Sequence, residues 1–114
     1  MPKKSRSAAS ELVGLANNTK WMELQEFMSA LGLRAPYWRT LATNGYRYPS
    51  EGWDGDWAYH FRMGGYQHIE WCEMIPRESG DAISASDVEA ACRQIGFETE
   101  IHSNAIRVIG YRRL

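Results

Sequence analysis

Residues 57–75 read Trp57-Ala58-Tyr59-His60-Phe61-Arg62-Met63-Gly64-Gly65-Tyr66-Gln67-His68-Ile69-Glu70-Trp71-Cys72-Glu73-Met74-Ile75, and Pro76 follows. Two aromatic-rich runs flank a glycine pair, the pattern of a β-hairpin with a two-residue loop. In that register Met63 faces Tyr66, Phe61 faces His68 and His60 faces Ile69. Strand side chains alternate, so Trp57, Tyr59, Phe61, His68, Glu70 and Cys72 fall on one face. His60, Arg62, Ile69, Trp71 and Glu73 fall on the other. His60 and His68 are thereby expected on opposite sides of the sheet.

Upstream, Tyr37 to Thr43 reads as an extended run after Pro36, with Asn44-Gly45 as a turn and Tyr46 to Tyr48 as a returning strand that Pro49 stops. Ser50 to Asp56 is a loop. Trp21, Leu24, Met28 and Leu31 recur at helical spacing after the cap formers Asn17, Asn18 and Thr19, which predicts a helix over about Thr19 to Leu31 ended by Gly32. A short helical turn is expected over Ser10 to Ala16, weakened by Gly14. Residues 1–9 read as a disordered basic terminus. Downstream, residues 77–83 form a polar linker and Ser86-x-x-Glu89 reads as a capping box. The helix it opens turns Val88, Ala91, Cys92 and Ile95 one way and stops at Gly96. Phe97, Thr99 and Ile101 then alternate, Ser103-Asn104 turns the chain, and Ala105 to Tyr111 returns. The predicted fold is α+β in two layers: an antiparallel sheet of about five to six strands built from hairpins, with two helices on one face. Residues 10–114 are expected to be one domain.

The chain has 114 residues, enough for one domain with its own core. Hydrophobic residues make up 44% and charged ones 24%, so disorder is not the default for the whole chain. Lys3, Lys4 and Arg6 precede the first acid, leaving ten basic against fourteen acidic residues thereafter. That acidic body argues against a general nucleic-acid binder. Two cysteines, Cys72 and Cys92, make no secreted disulfide framework, and no apolar run reaches the length of a membrane span or a signal segment. A cytoplasmic protein is expected.

Residues able to carry chemistry gather around the central segment: Asp54, Asp56, His60, His68, Glu70, Cys72 and Glu73. Two histidines and a carboxylate suit a metal, but the expected register separates the histidines, so neither a metal nor a cofactor is expected. Asp54-Gly55-Asp56 first signals a turn anchored by Trp53 and Trp57, and no twelve-residue calcium loop is present. Tyr37-Trp38-Arg39 and Tyr46-Arg47-Tyr48 interleave aromatic with basic residues as base-stacking sheets do. Aromatic strand residues more often make cross-strand core pairs. No nucleophile motif and no phosphate-cradling loop is found.

Asn18-Thr19-Lys20-Trp21, Trp53-Asp54-Gly55-Asp56-Trp57-Ala58-Tyr59-His60-Phe61, Gly65-Tyr66 and Ile69-Glu70-Trp71 together resemble a family of small bacterial proteins known as a domain of unknown function. The resemblance covers roughly residues 17–76; the second helix and last hairpin lie outside it. It implies no catalytic residue. Similar proteins occur as short reading frames in bacterial genomes and mobile elements, which implies an accessory or interaction role.

Five Trp and six Tyr exceed what a core of this size needs, and these residue types dominate binding hot spots. The expected function is a non-enzymatic binding module that engages a protein partner or a second copy. Arg39, Trp53, Asp54, Asp56 and Tyr59 are its expected contact residues. The alternative is a small metal-dependent or hydrolase-like enzyme using Asp54, Asp56, His60 and Glu70, which requires a pocket where at least two of them converge.

Overall fold

The computed structural model describes residues 11–114. Its elements are β1 (Leu12–Gly14), α1 (Asn18–Leu31), β2 (Tyr37–Ala42), β3 (Arg47–Tyr48), β4 (Ile69–Ile75), α2 (Ala85–Ile95), β5 (Glu98–His102), β6 (Ala105–Ile109) and β7 (Tyr111–Arg113). Single 3₁₀ turns lie at Gly32–Arg34 and His60–Arg62. The expected disorder of residues 1–9 lies outside the described residues.

The N-cap of α1 is Asn17, whose Oδ1 accepts the Lys20 amide at 2.9 Å. Gly32 stops the helix at φ 59°, a conformation that favours glycine. Trp21, Leu24 and Met28 form its buried face, each worth about 1.5–3 kcal/mol of burial. Val88 and Cys92 are the buried residues of α2. Both helices cover the sheet face that carries Trp38, Cys72, Met74, Ile106 and Val108, and these side chains make one core.

The main sheet is antiparallel with order β3-β2-β4-β6-β5; β1 and β7 form a separate pair. On the helix-free face, Arg39, Glu73, Arg107 and Glu100 stand in one cross-strand row. Glu73 is buried there because the guanidinium groups of Arg39 and Arg107 close over it at 2.8 and 2.6 Å. Trp71 is buried on the same face under the Arg107 guanidinium, 4.2 Å from its ring centre. Cation–π stacking thus replaces a third layer. A β-bulge between Leu41 and Ala42 of β2 leaves Glu70 as the extra residue of β4. Its carboxylate pairs with Arg113 through two hydrogen bonds of 3.1 and 2.8 Å.

The predicted fold class holds, with five strands in the main sheet and both helices on one face. The central hairpin does not form. β4 instead pairs with β2 and β6, and residues 57–63 coil into a turn ending in 3₁₀ geometry. The cause is local capping that outcompetes the strand pattern: Asp56 Oδ1 accepts the amides of both Ala58 and Tyr59 at 3.0 Å. Trp57 and Phe61, four apart, then bury together against Trp21 and Trp38.

The helical turn expected over Ser10–Ala16 is strand β1 where described, since Leu12, Val13 and Gly14 pair with β7. The cap of α2 is Ser84, whose Oγ accepts the Asp87 amide at 3.1 Å, and Ser86 lies inside the first turn. The strand expected over Ala105–Tyr111 breaks at Gly110. A Cβ there would lie 2.1 Å from the Ile69 carbonyl oxygen, and the Gly110 amide donates to Glu70 O at 2.7 Å.

Candidate functional site

Asp54 is tied to the outer edge of β2 by two backbone hydrogen bonds with Trp38, of 2.8 and 2.9 Å. β3 lies along the same edge further on, because Thr43-Asn44-Gly45 turns the chain back. Asn44 Oδ1 accepts the Tyr46 amide at 3.0 Å, and Gly45 takes φ 90°. Tyr48 thereby stands opposite Thr40 and sends its hydroxyl to Asp54 Oδ2 at 2.7 Å. The turn after Asp56 brings back His60, whose Nδ1 meets the same oxygen at 2.9 Å. Asp54 Oδ1 accepts the Asp56 amide at 2.7 Å.

Burial opposes ionisation of Asp54, but the bonds from the Asp56 amide, Tyr48 and His60 outweigh it and hold the carboxyl below its ordinary range. The hydrogen bond to Asp54, aided by burial and by the Asp54 charge, pushes Tyr48 up to about 12. An ionised carboxylate only accepts, so the proton between the two residues sits on His60 Nδ1. In the neutral ring Nε2 then carries the lone pair. This is the arrangement by which a carboxylate orients a proton-accepting imidazole.

His60 lines a cavity of about 530 Å³, within the size range of small-molecule sites. Trp38, Thr40 and Ala42 of β2 form one wall, with Tyr46 and Tyr48 beside them. His60, Phe61, the Met63-Gly64-Gly65 corner, His68 and Ile69 form the other. Trp38 stacks on Tyr48 at 5.4 Å and meets Phe61 edge-on at 4.9 Å, so aromatic contacts join the two walls. Three bonds anchor the second wall: Gln25 Nε2 to Trp57 O at 2.9 Å, Trp57 Nε1 to Pro36 O at 2.8 Å and Trp38 Nε1 to Asp56 O at 3.1 Å.

Of the four residues of the enzyme alternative, Asp54 and His60 touch, and Asp56 Oδ2 lies 3.8 Å from His60 Nδ1. Glu70 is engaged with Arg113 instead. His60 and His68 border the same cavity rather than opposite faces, because the two-residue hairpin that would separate them is absent. Among the described residues no three His, Cys, Asp or Glu side chains are grouped to hold a metal. Burial raises the thiols of Cys72 and Cys92, the latter to about 12, so neither is an activated nucleophile.

The five expected contact residues divide between two places. Arg39 stacks over Trp53 at 4.2 Å on the helix-free face and bonds Glu73. Asp54, Asp56 and Tyr59 gather around His60, with Tyr59 well exposed and the Asp54 side chain only 12% exposed. Tyr48, Trp38 and Phe61 were missed as site residues. Trp38 and Tyr48 stood in the two aromatic–basic runs, and the Tyr46–Tyr48 return strand carried a further signal for Tyr48, since its pairing with β2 sets where the hydroxyl points. Nothing in the order of residues brings Phe61 to Trp38; the capped turn does.

No helix among the described residues is long and apolar enough to cross a membrane. No curated protein and no solved structure matches the chain. A family model described as a family of unknown function, DUF6678, matches residues 4–114, so the match includes the second helix and the last hairpin that the sequence resemblance left out. The chain belongs to this family of unknown function.

Proposed function

We propose that this protein is a non-enzymatic binding module whose site is the cavity between β2–β3 and residues 57–69, and that it takes a small, largely apolar molecule with a flat ring. The observation that carries this reading is the meeting of an aromatic-lined hollow of about 530 Å³ with one Asp-oriented imidazole. Binding sites for small molecules commonly join an apolar lining to a few placed polar groups. The free, buried thiols of Cys72 and Cys92 support a reducing, cytoplasmic setting, and the bacterial character of similar proteins fits an accessory role.

The test is a titration of the labelled protein with simple ring compounds such as indole and toluene, followed by amide chemical shifts. Perturbations confined to residues 38–48 and 60–69, and lost in Ala42→Phe, are expected. Shifts scattered over the helices, or none at millimolar ligand, overturn the reading.

A protein partner or a second copy is the other reading. Trp21, Trp38, Trp57 and Trp71 are buried, which removes most of the expected aromatic surface. Tyr46, Tyr59 and Met63 remain exposed close to the cavity, and a partner's anchoring side chain would enter there. Concentration-dependent sedimentation of the wild type against Met63→Glu checks the second-copy form: a dimer weakened by the charge supports it, and a monomer at every concentration removes it.

A further inference from the structure

We infer that the ligand of this cavity is a hydroxylated aromatic, a phenol, whose O–H docks on His60 Nε2 and gives up its proton there. The inference rests on the cavity being a ligand site and adds the chemical class of the ligand.

Three observations single out this class. Asp54 accepts from the Asp56 amide, from Tyr48 and from His60 Nδ1, so the ring is held in one tautomer. Nε2 makes no hydrogen bond to any described residue. His60 is one of the lining residues, with its side chain 43% exposed, and an unpaired acceptor in an otherwise apolar lining calls for a ligand that brings a donor. No Lys or Arg lines the cavity, and Asp54 and Asp56 both stand beside the imidazole. A ligand that arrives as an anion finds two carboxylates behind the imidazole and no fixed cation in the lining, whereas a neutral O–H acquires its charge only as the imidazolium forms. Finally, Trp38, Tyr48 and Phe61 stand in the lining in stacked and edge-on contact with one another, and an aromatic lining suits another flat ring better than an aliphatic alcohol.

The step balances without a further reactant. The ligand O–H bond breaks, the Nε2–H bond forms, and the electron pair stays on oxygen as phenolate. Asp54 stabilises the imidazolium as a carboxylate does when it backs a histidine base. The titratable groups around His60 are Asp54, Asp56 and Tyr59 of its own segment, Tyr48 and Tyr46 on the β3 side, and His68 before β4.

The experiment uses 4-nitrophenol, whose phenolate is coloured, and nitrobenzene, which has the same ring without the hydroxyl. Wild type is expected to bind both and to ionise bound 4-nitrophenol about one pH unit below the free compound, a tenfold change in the ionisation constant. His60→Gln, at a position with the side chain 43% exposed and with its fold checked by circular dichroism, is expected to lose the shift in the 4-nitrophenol it binds. Bound 4-nitrophenol with no shift, or an equal shift in His60→Gln, overturns the proton transfer and leaves the cavity reading standing. Failure of both compounds to bind overturns the two readings together.

Discussion

The Tyr48 hydroxyl donates to Asp54 Oδ2 at 2.7 Å, the same oxygen that holds His60. β3 is only two residues long, and this bond fastens it to the loop that carries the site. Tyr48→Phe should lower stability by about 1.5–3 kcal/mol near neutral pH, the scale of a hydrogen bond to a charged group. Because the folded Tyr48 is raised from 10.0 to about 12, its contribution is complete below pH 10 and is lost as pH rises through 12. Urea unfolding at a series of alkaline pH values should show wild type and Tyr48→Phe converging across that window.

Glu73 is buried between Arg39 and Arg107 on the helix-free face. Burial resists its charge, but the hydrogen bonds from Arg107 and Arg39 prevail and hold the carboxyl below its ordinary 4.5. In acid the unfolded chain therefore takes up this proton before the folded one does, so the stabilisation is present above pH 4.5 and fades as pH falls toward the depressed folded value. Glu73→Gln should cost about 2 kcal/mol at pH 7 and flatten the acid limb of a stability–pH curve. An unchanged acid limb would show that Glu73 does not carry it.

Ser84 and Ser86 lie two residues apart at the start of α2, and Ser84 Oγ takes the Asp87 amide. Ser84→Ala should destabilise by about 1 kcal/mol, the usual value of an N-cap. Ser86→Ala, inside the first turn, should be neutral or slightly favourable on helix propensity. Paired thermal melts decide the assignment, and the reverse ranking would restore Ser86 as the cap.

Gly110 lies against the β4 backbone where no side chain fits, with a Cβ only 2.1 Å from Ile69 O and 3.1 Å from Trp21. Gly110→Ala should cost about 3 kcal/mol, the upper end of overpacking losses. Gly64→Ala meets nothing within 4 Å and should stay within about 0.5 kcal/mol of wild type. Soluble yield and unfolding midpoints of the two alanine variants make the comparison.

The helices were legible because their signals are local. Asn17 or a neighbour caps, Trp21, Leu24 and Met28 mark the buried stripe, and Gly32 and Gly96 take backbone conformations that favour glycine at the two ends. The β2–β3 and β5–β6 hairpins were legible for the same reason, each having its turn residues next to its strands. The central hairpin was misread because an aromatic run before Gly64-Gly65 suits a strand and a capped turn alike. Asp56 settles it by accepting two amides at once.

Residue order by itself determined the α+β class, the helix spans to within a residue or two, and the residues Asp54 and His60 as neighbours in chemistry. Tertiary structure alone decided that the two touch, that Tyr48 joins them, that Glu70 leaves for Arg113, and that His68 shares a cavity with His60. Periodicity reports which face of an element is apolar. It carries no information on which distant element supplies the partner, and the site is assembled from β2, β3 and a turn that capping bonds, anchoring bonds and mutual burial together hold in place.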